Sequence, residues 1–494
     1  MSATQFEAGR PHSGLQGLGD ALFSAGGAPL AAVGLGGLAL GFYAWYIGIS
    51  QSAHLLAWSD LVFVVALPAG VAFAYAGWLA YAHYFALRSG VDRIVALRTD
   101  SVSWAMLCAL WIALIHPSPM FTNGRVLALA LALFCLAKIV VASRFNETVR
   151  EVSITFLITR VSIIVIAELA AILIGQRSGE HAACSSQAWL SVWCRWDAIH
   201  YLDIATIGYH GTDMAFFPLY PALIAIGGKL TGNHLIAGLF ISNAALFFGL
   251  LFFYKLVEHQ YDRHVAHRAI FYVSIFPTAV FFSAVYTEAL FFALTVASFY
   301  YIREHKWLVA GVIGCLAAMT RVEGVLLLGP FVYEWWTTAR DDRRYFRPAA
   351  IGAALIAGGL GLYMAFLWVL RGDPLYFSHV QSNWHRHLAP PWTSIWNSIH
   401  LIATSHTPIT VVNQIMELAF TVLMLGLLVA GYKTLRFSYW LYMLLSIAVP
   451  MSTSSLMSMP RFALVLFPMF ALLAVWGRRP ATNNAVVAFS LPLL

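Results

Sequence analysis

Charge is what this chain has least of. Only 10% of its 494 residues are Asp, Glu, Lys or Arg, while 60% are hydrophobic and the mean hydropathy is +0.75. Soluble domains carry nearer a quarter charged residues, so an ordinary globular fold is excluded and a polytopic membrane protein is implied. Nucleotide-binding signatures are missing too: no GxGxxG follows a strand-like run, there is no Walker loop, and no stretch reads as a soluble α/β domain. Metal-ligand spacing is equally thin. WHRH sets His385 and His387 two apart with no helical i, i+4 pair beside a carboxylate, so neither metal nor cofactor is expected. No basic run is long enough to bind nucleic acid, and the net charge of +7 is read through the orientation rule for membrane proteins. Of five cysteines, Cys108, Cys135 and Cys315 fall in apolar segments as small buried residues. Cys184 and Cys194 sit together in one polar loop, either bridged or as two free thiols.

What the chain has in quantity is apolar runs. Segments 28–50, 60–86, 101–116, 125–143, 154–175, 235–256, 268–283, 286–303, 307–320, 324–337, 348–370, 410–431, 437–451 and 461–477 make fourteen candidate spans. Several fall short of the ~20 residues that cross ~30 Å of hydrocarbon, so some are expected to be broken or shielded in the bundle. The fold class predicted is an all-α polytopic membrane bundle with short extracytoplasmic helices. With both termini cytoplasmic, nineteen Lys and Arg fall on the inside and seven outside, a positive-inside bias. That count requires 216–230, FFPLYPALIAIGGKL, to be a re-entrant or surface helix between Pro218, Pro221 and Gly227, Gly228.

The polar residues then gather on one side. RWDAIHYLDIATIGYHG, residues 195–211, places Arg195, Asp197, His200, Tyr201 and Asp203 beside lipid-facing segments. In a helix Asp197, His200 and Tyr201 share a face, whereas Asp203 lies roughly 120° away from Asp197. Asp197 is therefore expected to act as a single base, with His200 tuning it. On the same side stand Glu288 in YTEAL, Arg321 and Glu323 in TRVEG, Arg461 in MPRFA, and Asp373, Gln381 and Trp384 in the long 371–409 loop. Charges at span ends are costly to desolvate and default to function. Carboxylates there can take protons, and guanidinium groups can bind phosphate bidentately. An enzyme of this kind without a nucleotide site needs a donor reached from the lipid, which points to a lipid-phosphate-linked sugar.

RWDAIHYLDIATIGY followed by AFFPLYP, then FFSAVYTEALFF and GDPLYF, resembles the mannosyltransferases that add the second mannose in glycosylphosphatidylinositol (GPI) synthesis, the GPI mannosyltransferase II or PIG-V type, with their prokaryotic relatives. The resemblance covers roughly 150–480. Residues 1–150, with a cytoplasmic tail and four spans, lie outside it, and 481–494 form a C-terminal tail. It implies a GT-C type glycosyltransferase bundle with an extracytoplasmic or lumenal site, in a plasma membrane or an endoplasmic reticulum membrane. It further implies a polyprenyl (dolichyl-type) phosphate mannose donor, a glycolipid or glycan acceptor, and Asp197 as the acid of the first outward loop. Arg195, Arg321 and Arg461 are the candidates for the donor phosphate. Tyr201, Asp203, Glu288, Glu323, Asp373, Gln381 and Trp384 are the candidates for sugar or acceptor. The rivals are a flippase of polyprenyl-linked sugars and a transferase using another sugar or a protein acceptor. No internal repeat of the 195–209 string is present, which speaks against a transporter.

Overall fold

The computed structural model describes residues 146–174, 188–338, 342–384 and 386–494. The chain divides into two compact units, with Glu147–Leu494 in the second. The four predicted spans before residue 146 lie outside the described residues. Among the described residues every regular element is helical, apart from an isolated antiparallel bridge between Leu388 and Thr453.

The longer helices run in chain order as α1 (Glu147–Ile174), α2 (Asp197–Ile207), α3 (Leu219–Thr231), α4 (His234–Gln260), α5 (Arg263–Ser274), α6 (Glu288–Arg303), α7 (Trp307–Ala318) and α8 (Leu328–Thr338). After them come α9 (Arg343–Arg371), α10 (Pro391–Thr404), α11 (Pro408–Gly431), α12 (Phe437–Met451), α13 (Met459–Val465), α14 (Phe467–Trp476) and α15 (Pro480–Leu493). Among the described residues, α1, α4, α9 and α11 are long and apolar enough to cross a membrane. A fifth span exists if α13 and α14, bent by 72° at Leu466, are taken as one. The remaining predicted spans in this region are shorter or interrupted. The run 268–283 stops as a helix at Ser274 and resumes as a 3-10 turn, Ala279–Phe282, because Pro277 can neither donate its amide nor leave its predecessor helical. The stretch 216–230 forms the short helix α3, 13 residues long.

The burial pattern is inverted relative to a soluble protein. Along α1, Ser153, Thr155, Thr159 and Arg160 face inward, while Ile154, Ile158, Val161 and Val165 are exposed. An apolar outside around a polar seam suits hydrocarbon, where inward hydroxyls and charges find partners that lipid cannot supply. Arg160 explains itself in these terms. Its Nη2 donates to the Ser274 carbonyl at 2.6 Å and its Nη1 to the Ala279 carbonyl at 3.0 Å. These are backbone acceptors around the break after α5, where continuing helix would otherwise have served them.

At the centre α6 packs on α4 and α7, and α7 packs on α9. Phe299 of α6 sits among Tyr439, Tyr442 and Phe467, with ring centroids 4.9–5.4 Å apart. The α7–α9 seam is closer than side chains allow. A Cβ built on Gly311 would stand 2.3 Å from the Gly352 Cα, and one on Gly352 would stand 2.5 Å from the Trp307 carbonyl oxygen. Without a hydrophobic drive between helices in lipid, such approach of backbones supplies the packing. Gly311→Ala is expected to lower stability by about 1–3 kcal/mol through overpacking. Thermal unfolding in detergent checks this, and an unchanged midpoint would remove the seam from the account.

Candidate functional site

The site is built where the start of α2, the start of α6, the turn after α7 and the start of α13 converge. Asp197 opens α2 and Glu288 opens α6, so both carboxylates stand at the positive end of a helix dipole. Arg321 precedes the 3-10 turn Val322–Leu327, which carries Glu323. Arg461 lies in the first turn of α13.

These five side chains form one chain of ion pairs. Arg461 Nη1 donates to Asp197 Oδ2 at 2.6 Å, while its Nε donates to Glu288 Oε1 at 2.7 Å and its Nη2 lies 2.6 Å from the same oxygen. Arg321 Nη1 donates to the same Glu288 oxygen at 3.1 Å and its Nε to Glu323 Oε2 at 3.4 Å. Aromatic faces enclose the cations, with the Arg461 guanidinium 4.7 Å from the Tyr286 ring centre and Arg321 5.3 Å from that of Phe462. The three carboxylates differ in access: the Asp197 side chain is 32% exposed against 10% for Glu323 and 0% for Glu288. Asp197 is the member of the cluster that an incoming hydroxyl can reach.

Local backbone supports that placement. Trp196, directly before Asp197, holds φ 52° and ψ −119°, a conformation costly for a bulky residue and kept only where surroundings impose it. Tyr286 Oη donates to the Arg195 carbonyl at 2.8 Å. Cys194, next in the chain, is disulfide-bonded, which excludes the reading of two free thiols. Cys184 lies outside the described residues.

His200 turns to a different acid from the one expected. Its Nδ1 lies 2.7 Å from Asp213 Oδ1, and its ring stacks on Phe216 at 4.6 Å with Trp384 at 6.2 Å. Asp213 sits in the 3-10 turn Gly211–Ala215. That turn is fixed by Tyr363 of α9, whose hydroxyl donates to the Met214 and Phe216 carbonyls. Tyr201 is buried, its hydroxyl 3.4 Å from Thr287 Oγ1 beside Glu288. Asp203 is exposed on the far side of α2, outside the cluster.

The 371–409 stretch contributes unevenly. Trp384 touches His200 and Phe216. Asp373 instead accepts from His379 at 2.7 Å and from the Leu375 amide at 2.9 Å. The His379 contact holds its carboxyl below the usual carboxylate range, as hydrogen bonding to the charged form does. Gln381 is half-buried, and its carbonyl accepts from the Arg386 amide at 3.2 Å. His385 lies outside the described residues. Trp392 and Trp396 on α10 are exposed, while Ser394 and Ser398 of that helix are buried, an outward aromatic face of the kind found at membrane interfaces.

Three charged neighbours of the cluster escaped the sequence reading. Asp213 was lost in the string GTDMAFFPLYP. Glu417 was absorbed into an apolar run, although a lone acid within a span is itself a signal. It accepts from the Ser458 and Met459 amides at 2.8 and 2.7 Å, capping the helix that presents Arg461. Arg386, between two histidines, bonds the Met457 carbonyl. Among the described residues no group of three or more His, Cys, Asp or Glu is arranged to hold a metal ion.

Comparison with known proteins adds the class. Residues 148–340 match the family model described as mannosyltransferase (PIG-V). That bears out the resemblance read from the motifs over a segment holding Asp197, Glu288, Arg321 and Glu323. The match ends before Asp373, Gln381, Trp384 and Arg461. No curated protein and no solved structure matches.

Proposed function

We propose that the chain, whose residues 148–340 match the mannosyltransferase (PIG-V) model, is a membrane glycosyltransferase that transfers mannose from a polyprenyl-phosphate-linked donor to a glycolipid or glycan hydroxyl on the extracytoplasmic or lumenal side. The observation that carries this reading is the ion-pair chain ending on Asp197, the one of its three carboxylates left open.

The step is a single inverting displacement. The acceptor oxygen bonds to the anomeric carbon, its proton passes to Asp197, and the bond from that carbon to the donor phosphate breaks with its electron pair leaving on the phosphate. Asp197 is oriented by Arg461. Arg461 and Arg321 supply positive potential towards the departing phosphate, with Arg195 two residues before the base. Tyr201, Glu288, Glu323, Gln381 and Trp384 shape the pocket for sugar and acceptor. Asp203 and Asp373 stand outside the ion-pair chain and are proposed only as contacts at its rim. The test is direct: the purified chain, given labelled polyprenyl-phosphate mannose and a membrane extract, should label a glycolipid or glycan. Movement of intact donor between leaflets without transfer would favour a flippase.

One observation favours a second reading of the proton acceptor. A carboxylate fixed on His200 Nδ1, as Asp213 is, leaves Nε2 as acceptor, which is the way general-base imidazoles are oriented. Paired variants separate the two: with Asp197 as base, Asp197→Asn loses far more transfer rate than His200→Gln, and with His200 as base that order reverses.

A further inference from the structure

The donor's phosphate has to approach a cluster of three carboxylates and two guanidinium groups, which carries a formal surplus of one negative charge when all are ionised. Both guanidinium groups are already committed. Arg461 uses Nε, Nη1 and Nη2 on Asp197 and Glu288, and Arg321 uses Nε and Nη1 on Glu288 and Glu323. An anion brought to this cluster would meet net repulsion unless another cation joined it.

Arg386 is placed to be that cation. It leads an extended strip, 386–389, pinned along 452–457: the His387 amide donates to Ser454 Oγ at 3.1 Å, the Ala389 amide to the Ser452 carbonyl at 3.1 Å, and Arg386 Nη2 to the Met457 carbonyl. Met457 adjoins the Ser458 and Met459 amides capped by Glu417, in the turn that launches Arg461. Two residues before Arg386, Trp384 packs on His200. The guanidinium therefore sits between the His200 and Arg461 sides of the site, within electrostatic reach of Asp197, Glu323, Glu417 and Arg461. Unlike Arg321 and Arg461, it makes no ion pair with a described carboxylate. Its Nε is closed off from solvent and has no hydrogen-bond partner, an arrangement that leaves a strong donor unmet.

Resting on the reading given under Proposed function, we infer that Arg386 is the direct ligand of the lipid-linked phosphate, its unpartnered Nε closing on a phosphate oxygen once the donor is in place. A charged N–H donor suits a phosphate oxygen, and bonding satisfies the orphaned Nε while the Arg386 charge offsets the cluster's negative surplus. The ligand chemistry is a phosphate ester carried on a polyprenyl chain.

Binding to the full chain in detergent tests this with three probes: farnesyl phosphate, farnesol and inorganic phosphate, read by calorimetry. Wild type is expected to prefer farnesyl phosphate to farnesol by about tenfold or more, the scale of a charge-assisted contact, and Arg386→Gln to erase that preference. A merely structural strut to Met457 would lower the unfolding temperature and leave the preference intact, so retention of the preference in Arg386→Gln overturns the inference. Should that variant fail to fold, Arg386→Lys carries the test, because an ammonium keeps the charge but loses the fork. Undiminished affinity in it overturns the assignment. Inorganic phosphate competing as well as farnesyl phosphate, mole for mole, overturns the lipid-linked source. A wild type that transfers mannose while Arg386→Gln binds normally sinks Arg386 alone. A wild type that shows the Arg386-dependent preference yet transfers no mannose sinks the proposed reaction and leaves the phosphate site standing.

Discussion

Asp197→Asn should abolish transfer while leaving the protein folded. Removing a positioned base typically costs about 10²–10⁴ in rate, and here the amide keeps the shape of the carboxylate but cannot take up a proton at neutral pH. The Arg461 contact, 2.6 Å long, would weaken to an ordinary hydrogen bond without leaving a large cavity. The loss should therefore fall on kcat, with the unfolding temperature little changed. Single-turnover transfer of labelled mannose measures it. A variant that transfers at the wild-type rate would move the base to His200, whose Asp213 partner has the geometry for it.

Glu288→Gln should damage the fold as well as the activity. The Glu288 side chain is 0% exposed, and one of its oxygens takes hydrogen bonds from both Arg461 and Arg321. Removing that charge leaves two guanidinium groups facing each other with less compensation. Breaking one partner of a buried ion pair typically costs about 3–5 kcal/mol. Thermal unfolding in detergent should show a large drop, and restoring the carboxylate as Glu288→Asp should recover part of it. An unshifted midpoint for Glu288→Gln would mean that the pairs in this cluster contribute nothing to holding α6 and α13 together.

Much of the site was legible because isolated charges stand out in an apolar chain. Asp197, Glu288, Arg321, Glu323 and Arg461 sit at the ends of hydrophobic runs, where desolvation makes an idle charge costly, and the structure brings them together. Pairing was not legible. Nothing local says that residue 197 meets residue 461, or that His200 prefers Asp213 to the acid one turn before it. The second choice follows from α9 holding the Gly211–Ala215 turn through Tyr363. The fold divides similarly. Residues 437–451 were read to the residue because α12 is uninterrupted. The runs 268–283 and 461–477 looked continuous by hydropathy, yet Pro277 and Pro468 stand at their breaks. Proline's missing amide and its clash with the preceding turn outweigh apolar continuity in both places.

The glycine seam between α7 and α9 has a further consequence. Gly311 meets Gly352, and further along Gly359 meets Cys315, so the two helices run in the same direction with main chain against main chain. Both end on the same side, α7 delivering the turn that bears Arg321 and α9 delivering the strip that leads through Trp384 to Arg386. Main chain against main chain leaves the pair little room to slide, so the Arg321 turn and the C-terminal end of α9 keep a fixed spacing.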